Sequence, residues 1–464
     1  MVSGSRPVVA LIGCGPQAQR LHVPALEAYH DEHDVTIGVV VDLARCESQI
    51  REFFRGRRAA PRFLFLEPGW DDAQVRERLD AVCREAMVDR VMVSTEPMSH
   101  KKYITWALEH DYDVFCDKPL TAVDLSDRSV AGAARLIADF DEILAAEEKS
   151  AGTLSINTPL RRHAGHEYVR EYLRTFIEEH GVPVTHFAVR HHQGCWYLPD
   201  EYVSRENHPY KYGFGKLLHS GYHHIDLLLS LLDTSSVLPE WHPDSLRVAT
   251  QHARPADVLR QFPPARQFEM LGAAPAEQAG YGADAYGSCG ETDVVASLAA
   301  VADGSVMATG SLELLNSSLS ARSWVTPPAE SGDAWDQVPH ESAQIMIGPL
   351  LSVVVSEYKV AGGWPEDEHV SDFTVRCYRN AALVGGPAFE QPRLTDTTGL
   401  GNMRRSAYRQ TLLAWLRGDA PAVPLRGQRN NVTLLATLYR SMLAQEAGLP
   451  GVAEMPLVTS QLQT

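Results

Sequence analysis

The sequence predicts an α/β protein with a doubly wound parallel sheet at the N-terminus, followed by an α+β domain with a large, mostly antiparallel open sheet. Short β-branched apolar segments alternate with helical segments over the first 150 residues, as in parallel strands that are buried on both faces. Repeated strand–helix units form such a sheet, which binds ligands at the carboxyl ends of its strands. Strands are predicted at 8–12, 35–41, 62–66, 90–94 and 113–116, and helices at 17–29, 45–55, 72–86, 100–110 and 125–149.

A change of pattern near residue 150 predicts a second domain, so we expect domains at 1–150 and 151–464. After a helix at 166–180 come VPVTHFAVRHHQGCWYL, DVVASLAAVA, SVMATGSLELL, AQIMIGPLL and SVVVSEYKV, with turn residues between them. Consecutive strands with short links favour antiparallel pairing. Helices at 408–417 and 432–446 complete this domain. The insertion around 239–290 is rich in Pro, Ala and Gly, and its pattern fits a lid, an oligomer contact or a loop.

Composition excludes several classes of protein. With 464 residues the chain is too long for one core, and 44% apolar with 22% charged residues is typical of a globular protein. A net charge of −17 argues against a nucleic-acid partner. The seven cysteines form no C-x-x-C pair, which favours reduced thiols in the cytoplasm. No signal-peptide pattern and no apolar run of ~20 residues is found, so no membrane partner is expected.

The segment VALIGCGPQA carries the first functional motif. An apolar strand runs into a glycine turn and then a helix, the layout that holds a dinucleotide pyrophosphate. Gly13 allows the tight turn, Gly15 lets backbone approach a phosphate, and Ala18 lets helix and strand pack closely. The free N–H groups of the helix start face the anion. Pro16 and Gln17 occupy the same turn, so both are predicted to line the cofactor.

The cofactor is predicted from the next strand. Asp42 ends VTIGVVVD near the spacing expected for the carboxylate that binds the adenosine ribose hydroxyls. The other interpretation is an ordinary carboxylate at a strand end. A carboxylate repels a 2′-phosphate, which favours NAD, although Arg45 could reach such a phosphate and keeps NADP possible.

Two further strand ends point into the same predicted cleft. Thr95 and Glu96 follow the fourth strand, where a nicotinamide ribose would lie, and Lys118 follows the fifth within Asp117-Lys118-Pro119. A residue before proline is held extended, so the Lys118 amine has a fixed direction toward a reacting oxygen and the ribose. The alternative is a surface D-K-P turn. The predicted cofactor-binding residues of this region are Thr95, Glu96, His100, Asp117, Lys118 and Pro119.

The segment GFGKLLHSGYHHIDLLLSLL predicts a helix with two faces. At 100° per residue, one stripe holds His219, His223, Asp226 and Ser230, and the opposite stripe is apolar, with Tyr222, Ile225, Leu228, Leu229 and Leu232. The leucines should be buried and the two imidazoles should face a cleft. An imidazole is a natural proton acceptor for an alcohol that loses hydride. Surface histidines, or a hydrogen-bond network in the core, are the simpler interpretation.

A metal site is the weaker interpretation of these histidines. His219 and His223 are four residues apart, and His224 and the pair His191 and His192 are further imidazoles. No Glu lies between the first two to act as a metalloprotease base, and no third ligand has diagnostic spacing. We therefore predict no metal. On a strand, at most one residue of the pair should face the cleft, and we take that residue to be His192.

These motifs resemble the family of glucose–fructose oxidoreductase, inositol dehydrogenase and rhizopine-catabolism protein, called Gfo/Idh/MocA. VALIGCGPQA with His22, VMVSTEPMSH, WALEHDYDVFCDKPL and GSVMATGSLELL follow the family's order. Asp117 stands in place of the usual Glu. The resemblance covers most of the chain except about 239–290 and parts of 323–405.

The resemblance implies roles for particular residues. Lys118 matches the family's lysine of E-K-P and His223 its catalytic histidine, whereas His219 replaces the usual Asp. A second imidazole cannot stabilise an imidazolium as a carboxylate does, so His219 has another role or the chemistry differs. The predicted catalytic residues are Lys118, His223 and His219, and the predicted substrate contacts are Asn157, Arg161, His192 and Tyr222. Trp196 and Tyr197 fit either sugar stacking or core.

The implied function is an NAD(P)-dependent oxidoreductase with the Rossmann fold. It would transfer hydride between nicotinamide and a hydroxyl or keto carbon of a sugar, a cyclitol or a derivative. One alternative is a related enzyme that returns the hydride, namely an epimerase, lyase or glycosidase, or that reduces imines. The other is a non-catalytic dinucleotide-binding sensor. The family's open sheet further implies a homodimer or homotetramer, and the glycine turn, Lys118 and the imidazoles are expected to meet at one nicotinamide ring.

Overall fold

The computed structural model describes residues 6–192, 201–204, 209–271, 286–318, 339–359, 371–394 and 402–458. The chain divides into two compact units. Unit 1 contains residues 1–122, 138–158 and 408–426, and unit 2 contains residues 123–137, 159–407 and 427–464. The sequence predicted one boundary near residue 150, whereas the two units of the structure are interleaved along the chain.

Unit 1 is built on a six-stranded sheet in which every pairing is parallel. The strand order is β3-β2-β1-β4-β5-β6, which is the Rossmann topology. This confirms the predicted N-terminal fold. The strands are β1 (Val8–Ile12), β2 (Thr36–Leu43), β3 (Arg62–Leu66), β4 (Arg90–Val93), β5 (Asp113–Cys116) and β6 (Leu154–Ile156), and the helices of this region are α1 (Val23–His33), α2 (Glu47–Phe54), α3 (Asp72–Glu85), α4 (His100–Glu109) and α5 (Val130–Glu147).

Unit 2 is built on a nine-stranded sheet of order β14-β13-β12-β11-β7-β10-β9-β8-β15. Among the described strands of this nine-stranded sheet, only β7 and β10 pair in parallel. The predicted mostly antiparallel sheet is therefore confirmed. The strands are β7 (His186–His192), β8 (Ser245–Ala253), β9 (Asp293–Ala302), β10 (Ser305–Leu315), β11 (Pro339–Ile347), β12 (Leu351–Lys359), β13 (Ser371–Arg379), β14 (Phe389–Glu390) and β15 (Val452–Pro456).

The later helices are α6 (Ala164–His180), α7 (Glu201–Ser204), α8 (Tyr222–Leu232), α9 (Pro255–Gln261), α10 (Pro264–Leu271), α11 (Ala381–Val384), α12 (Met403–Arg417) and α13 (Arg429–Glu446). Strand β8 and helices α9 and α10 lie in the insertion that the sequence left unassigned. Strand β8 pairs with β9 and β15, so this part of the insertion is an integral part of the sheet. No helix in the described ranges combines the length and hydrophobicity that a membrane span requires.

The core of unit 1 includes residues from the far end of the chain. Tyr408, Leu412 and Trp415 of α12 are buried with Leu11 of β1 and Phe115 of β5. Burial of such large apolar side chains contributes about 1.5–3 kcal/mol each. Helix α12 therefore supplies a substantial part of the free energy that holds the parallel sheet together.

Candidate functional site

The glycine turn of unit 1 has the conformation that its motif predicts. Gly13 follows β1 with a φ of +91°, and a Cβ added there would lie 2.5 Å from the carbonyl oxygen of Ser94. A Cβ on Gly15 would meet nothing within 4 Å. Ala18 is fully buried at the start of a π-helical turn, Ala18–His22, that leads into α1. The turn is therefore closed behind Gly13 and open at Gly15, where backbone approach to a phosphate requires space.

Alanine substitutions should separate these two glycine roles. Gly13→Ala is expected to destabilise the protein by about 1–3 kcal/mol, because both the positive φ and the contact with Ser94 become unfavourable. Gly15→Ala is expected to leave stability unchanged and to weaken dinucleotide binding by at least ~10-fold. Chemical denaturation and cofactor titration measure the two effects. Gly69→Ala, at another open position, is the control, and equal affinity in it and Gly15→Ala would contradict the assignment.

Asp42 is attached to the glycine turn. Its Oδ2 accepts a hydrogen bond from the backbone N–H of Cys14 at 2.7 Å, and its Oδ1 accepts one from the N–H of Leu43 at 2.7 Å. Burial, together with the nearby Asp42 charge, raises the pKa of Cys14 to about 12, so this thiol stays protonated. The Asp42 carboxylate is therefore hydrogen-bonded to the glycine turn itself.

A buried polar group surrounds Asp117 at the carboxyl end of β5. Its Oδ1 accepts a hydrogen bond from Nδ2 of Asn157 at 2.8 Å. Its Oδ2 accepts one from Oγ of Ser94 at 2.7 Å and lies 2.8 Å from Nε2 of His22. Burial alone would raise the pKa of Asp117, but His22 and the other donors hold it well below its ordinary value. A fixed negative charge therefore stands directly before Lys118.

Lys118 is partly exposed and precedes Pro119 through a cis peptide bond. Desolvation lowers the pKa of Lys118 to about 8, and the charge of Asp117 opposes that decrease. An amine with such a pKa can donate a hydrogen bond to an oxygen and can exchange a proton close to neutral pH.

The remaining predicted cofactor residues of unit 1 are held by backbone contacts. His100 is buried, with Nδ1 2.8 Å from the carbonyl oxygen of Pro119 and Nε2 3.0 Å from that of Thr95. Burial lowers the pKa of His100, and because both partners are carbonyl oxygens that only accept, the neutral ring donates a hydrogen bond to one of the two. Glu96 accepts a hydrogen bond from the N–H of Met98 at 2.7 Å, and Thr95 is partly exposed. His100 therefore lies between the Thr95 and Pro119 loops on the buried side of the site.

The predicted histidine helix is present in unit 2. It begins with a π-helical turn, Leu217–Gly221, and continues as α8. Between residues 213 and 235, every residue is buried except His219, Ser220 and His223, which are partly exposed. The two imidazoles are therefore the accessible ionisable groups of this stretch, and π-helical turns often occur at functional sites.

Asp226 and Ser230 of the predicted polar stripe are 0% and 1% exposed. Both lie within α8, so their burial depends on what packs against that stripe, which a helical wheel does not show. Asp226 accepts two hydrogen bonds from Arg161, at 2.8 and 2.9 Å, and one from Asn431 at 2.6 Å. Tyr222 is fully buried and donates to Gln428 at 3.0 Å.

These contacts change the interpretation of the predicted substrate residues. Arg161 and Tyr222 have hydrogen-bond partners within unit 2, and their substrate contacts stay a prediction. Asn157 donates a hydrogen bond to Asp117 in unit 1. His192 is half-buried at the end of β7, and burial lowers its pKa. Trp196 and Tyr197 lie outside the described residues.

The end of the insertion holds the start of the histidine helix. Backbone N–H groups of Lys216 and Leu217 donate to the carbonyl and carboxylate oxygens of Glu291, at 2.9 and 2.8 Å. Tyr210 packs edge-on against the His219 ring, with centroids 4.9 Å apart, and its carbonyl accepts from the N–H of Gly290 at 2.8 Å. Tyr210 belongs to a small core that includes Tyr202, Leu259, Tyr286 and Cys289. The described part of the insertion therefore supports His219.

A further group of buried residues in unit 2 consists of His163, His166, His191, His224, His340 and Glu341, which we call the histidine cluster. Nε2 of His224 lies 2.6 Å from Oε2 of Glu341, and Nε2 of His166 lies 3.2 Å from its Oε1. His191 stacks on His224 at 4.1 Å between centroids. No group of three or more His, Cys, Asp or Glu side chains in the described ranges is arranged to hold a metal ion.

Sequence reasoning missed several residues of these sites. It included His22 only in a family pattern, and it did not assign Ser94, Tyr408, Tyr210 or Glu291 to a site. The ends of β4 and β6 give a signal for Ser94 and Asn157, because adjacent parallel strands end at one edge. No local pattern could place Tyr408 beside His22, since 386 residues separate them.

Comparison with solved structures supports the fold of the whole chain. The chain resembles the aldose-aldose oxidoreductase of Caulobacter crescentus in complex with glycerol (14% identity, TM-score 0.56, covering 98% of this chain and 100% of the other). It also resembles the WlbA dehydrogenase of Bordetella pertussis in complex with NADH and UDP-GlcNAcA (16%, 0.57, 99% and 99%). A third is a 3-ketoreductase of Actinomadura kijaniata in complex with NADP and TDP-benzene (15%, 0.56, 96% and 98%).

Comparison of the sequence with family models gives the identity of the N-terminal domain. No curated protein matches the chain. The model described as an oxidoreductase family with an NAD-binding Rossmann fold matches residues 8–158, which include the glycine turn, Asp42, Lys118 and Asn157. Through these residues, the N-terminal part of the chain is similar to the Gfo/Idh/MocA oxidoreductase family.

Proposed function

We propose that the protein is an NAD(P)-dependent oxidoreductase that transfers hydride between nicotinamide and a hydroxyl or keto carbon of a sugar, a cyclitol or a derivative. The observation that supports this proposal most directly is Lys118, an amine with a pKa of about 8 at the carboxyl end of a Rossmann strand. Solved structures of similar fold include proteins described as an aldose oxidoreductase and a 3-ketoreductase, which favours the sugar-like substrate class.

The glycine turn fits a dinucleotide. Gly13 leaves no room for a side chain, whereas Gly15 is open, and Asp42 lies against the same turn. When bound, the nicotinamide supplies the acceptor or donor of the hydride. Lys118 donates a hydrogen bond to the reacting oxygen and stabilises charge that develops there. His223 accepts the hydroxyl proton at an imidazole nitrogen during oxidation and returns it during reduction.

His219 favours a second candidate, in which the hydride returns to the substrate and no net oxidation occurs. Its ring lies against the aromatic rings of Tyr210 and Phe214, at 4.9 and 6.1 Å between centroids. It stands where family members carry a carboxylate that would stabilise an imidazolium. Epimerisation, elimination or glycoside cleavage would then be the outcome.

Stoichiometry decides between the two candidates. Purified protein is incubated with sugars and cyclitols plus NAD or NADP, and reduced cofactor and products are quantified. The proposed function predicts one reduced cofactor for each product. Product without reduced cofactor would support the second candidate. Cofactor binding without any product over this panel would contradict both and favour a sensor.

Cofactor choice is expected to depend on Asp42, and we propose NAD. Asp42→Asn keeps an oxygen that can accept the Cys14 N–H but removes the charge that repels a 2′-phosphate. The ratio of NADP affinity to NAD affinity should therefore rise by about tenfold or more. Fluorescence titration of both cofactors measures it, with Glu47→Gln on α2 as control. An unchanged ratio would place the ribose away from Asp42.

We further propose a homodimer or homotetramer formed through the nine-stranded sheet. Val295, Met307 and Tyr378 lie on its strands with 41%, 36% and 46% exposure, and an oligomer contact through this sheet would cover such apolar surface. Light scattering of the purified protein tests this, and a monomer at micromolar concentration would contradict it. The six described cysteines carry no disulfide, which supports the proposal of a cytoplasmic location.

A further inference from the structure

The histidine helix begins without a capping side chain of its own. Its π-helical turn, Leu217–Gly221, follows Lys216, which stands in the N-cap position and makes no side-chain capping hydrogen bond. An ammonium has no acceptor, so Lys216 cannot fill the role that Ser, Thr, Asp or Asn usually fills there. The first N–H groups of a helix have no partner within the helix, and a buried N–H that stays unpaired is unfavourable. A partner from another segment is therefore required.

Glu291, directly after the insertion, supplies that partner. Its carbonyl oxygen accepts the N–H of Lys216 at 2.9 Å, and its side-chain Oε1 accepts the N–H of Leu217 at 2.8 Å. Tyr439 of α13 donates its hydroxyl proton to the same Oε1 at 3.1 Å. One residue, 74 positions beyond Leu217, thus caps two N–H groups of the histidine helix.

Close backbone contact holds Glu291 at this distance. A Cβ added to Gly215 would lie 2.0 Å from the carbonyl oxygen of Glu291, and one added to Gly290 would lie 2.0 Å from the carbonyl carbon of Phe214. The Glu291 side chain is 0% exposed, so water does not compete for its hydrogen bonds. The segment after the insertion therefore packs backbone against backbone with the segment that leads into the histidine helix.

A buried ion pair anchors the same segment from the insertion and from α13. Arg254, at the start of α9, is 5% exposed and donates to the two carboxylate oxygens of Glu446 at 2.6 and 3.1 Å. Its Nη1 also donates to the carbonyl oxygen of Cys289 at 2.5 Å. Bidentate pairs of this kind have a specific geometry. Because Cys289 lies two residues before Glu291, the ion pair fixes the chain next to the cap.

The hydrogen bonds of the cap do not depend on the charge of Glu291. Burial raises the pKa of Glu291, and the N–H groups that donate to it oppose that increase. In a protonated carboxyl group one oxygen carries the proton and the other still accepts. Oε1 can therefore accept from Leu217 and Tyr439 in either state. The helix start requires an acceptor at this place, which a glutamine could also provide.

We propose that Glu291 is a positioning residue for His219 and His223, which lie in the first two turns of the helix that it caps. By fixing the helix start, Glu291 determines where the two imidazoles lie in the site. The inference rests on the proposed roles of His219 and His223 in proton transfer. Hydrogen exchange tests the positioning step without substrate or cofactor.

The experiment compares Glu291→Ala, which removes the acceptor, with Glu291→Gln, which keeps an oxygen in its place. In hydrogen-exchange mass spectrometry of the full chain, peptides that contain Leu217 should exchange at least about tenfold faster in Glu291→Ala. Its kcat should fall about 10- to 100-fold with a KM within about threefold of the wild type, because displaced imidazoles transfer protons poorly. Glu291→Gln should restore both the exchange rate and kcat to within about threefold of the wild type.

Asn430→Ala is the matched control. Asn430 is 4% exposed on α13 and is hydrogen-bonded to the backbone of Val458, at 3.2 and 3.3 Å. Its replacement removes a buried polar side chain from the same unit. Thermal unfolding should show a lower melting temperature in both alanine variants. Only Glu291→Ala should change the exchange of Leu217 and kcat, which separates loss of position from loss of stability.

Two results would overturn the inference. One is wild-type exchange at Leu217 in Glu291→Ala, and the other is faster exchange there with the kcat of Asn430→Ala. If Glu291→Ala does not fold, Tyr439→Phe takes its place, with exchange at Leu217 expected to be about 2- to 10-fold faster, and unchanged exchange would again reject the cap. Absent turnover of the wild type over the sugar panel would contradict the proposed function instead. The exchange rates would still decide whether Glu291 fixes the helix that carries the imidazoles.

Discussion

Lys118→Met is expected to reduce kcat by about 10²–10⁴-fold while cofactor affinity and stability stay near those of the wild type. Methionine keeps much of the apolar stem but removes the amine that is proposed to donate to the reacting oxygen and to stabilise its charge. The side chain is partly exposed, so its loss leaves no core cavity. Steady-state kinetics, cofactor titration and thermal unfolding measure the three quantities on one preparation.

Lys102→Met is the control for this substitution. Lys102 lies on α4 in the same unit and pairs with Asp72 at the surface, so its replacement tests removal of a lysine outside the site. It should retain full turnover. Wild-type turnover in Lys118→Met would show that Lys118 is not a catalytic residue. A parallel His223→Asn variant should lose kcat and keep cofactor binding, because the proposed role of this imidazole is to exchange the substrate proton.

The second large effect is a loss of stability in mild acid, caused by the histidine cluster. Burial holds the pKa of His163 and of His191 well below the ordinary 6.5, and burial also lowers the pKa of His224. These rings are neutral in the folded protein at pH values where the unfolded chain is already protonated. The unfolded state then binds more protons, so stability falls as the pH decreases.

The size of the stability loss follows from the difference in bound protons between the unfolded and folded states. The contribution of each ring is complete above pH 6.5 and is lost progressively below it. For each such ring the loss cannot exceed about 1.4 kcal/mol per pH unit below 6.5, and His163 and His191 contribute in the same direction. Burial alone would raise the pKa of Glu341, but Arg404 and His224 hold it well below its ordinary value. The stabilisation that the Glu341 carboxylate gives to the folded protein is also lost as the pH decreases, but at lower pH values.

Chemical denaturation between pH 7.5 and 5 measures this dependence. His163→Phe should reduce the loss between these pH values by at most about 2 kcal/mol, because the ring that must stay neutral is gone. His163 is fully buried against Phe373, at 4.7 Å between centroids, so an aromatic replacement suits the site. His186→Phe, at a partly exposed position of β7, is the control. Equal pH dependence in both variants and the wild type would contradict the prediction.

Local sequence patterns predicted much of the fold. Strands β1, β3 and β5 begin and end where the apolar segments do, because buried parallel strands read as continuous apolar runs. Strands β9 and β10 follow the alternating segments in the same way. Strand β8 was missed because its neighbours are rich in Pro, Ala and Gly, which suggested a loop. The interleaving of the units could not be predicted, since it depends on contacts between distant segments.

The site was predictable where a motif fixes the backbone. Gly13 and Lys118 follow strands, and strand ends place residues at one edge of a sheet. The burial of Asp226 could not be predicted, because it depends on Arg161 and Asn431, which are distant in the sequence. Tyr408 and Glu291 act through tertiary contacts with His22 and with the start of the histidine helix, and tertiary contacts leave no periodic signal.

The composition of unit 1 has a consequence for how the protein is made. Its apolar interior is completed by Tyr408, Leu412 and Trp415, which a ribosome adds only after more than four-fifths of the chain. The unit whose first segments are translated earliest therefore finishes folding among the last. A fragment that stops at residue 158 would expose the surface that α12 covers, and such a fragment is expected to aggregate unless the missing helix is supplied as a peptide.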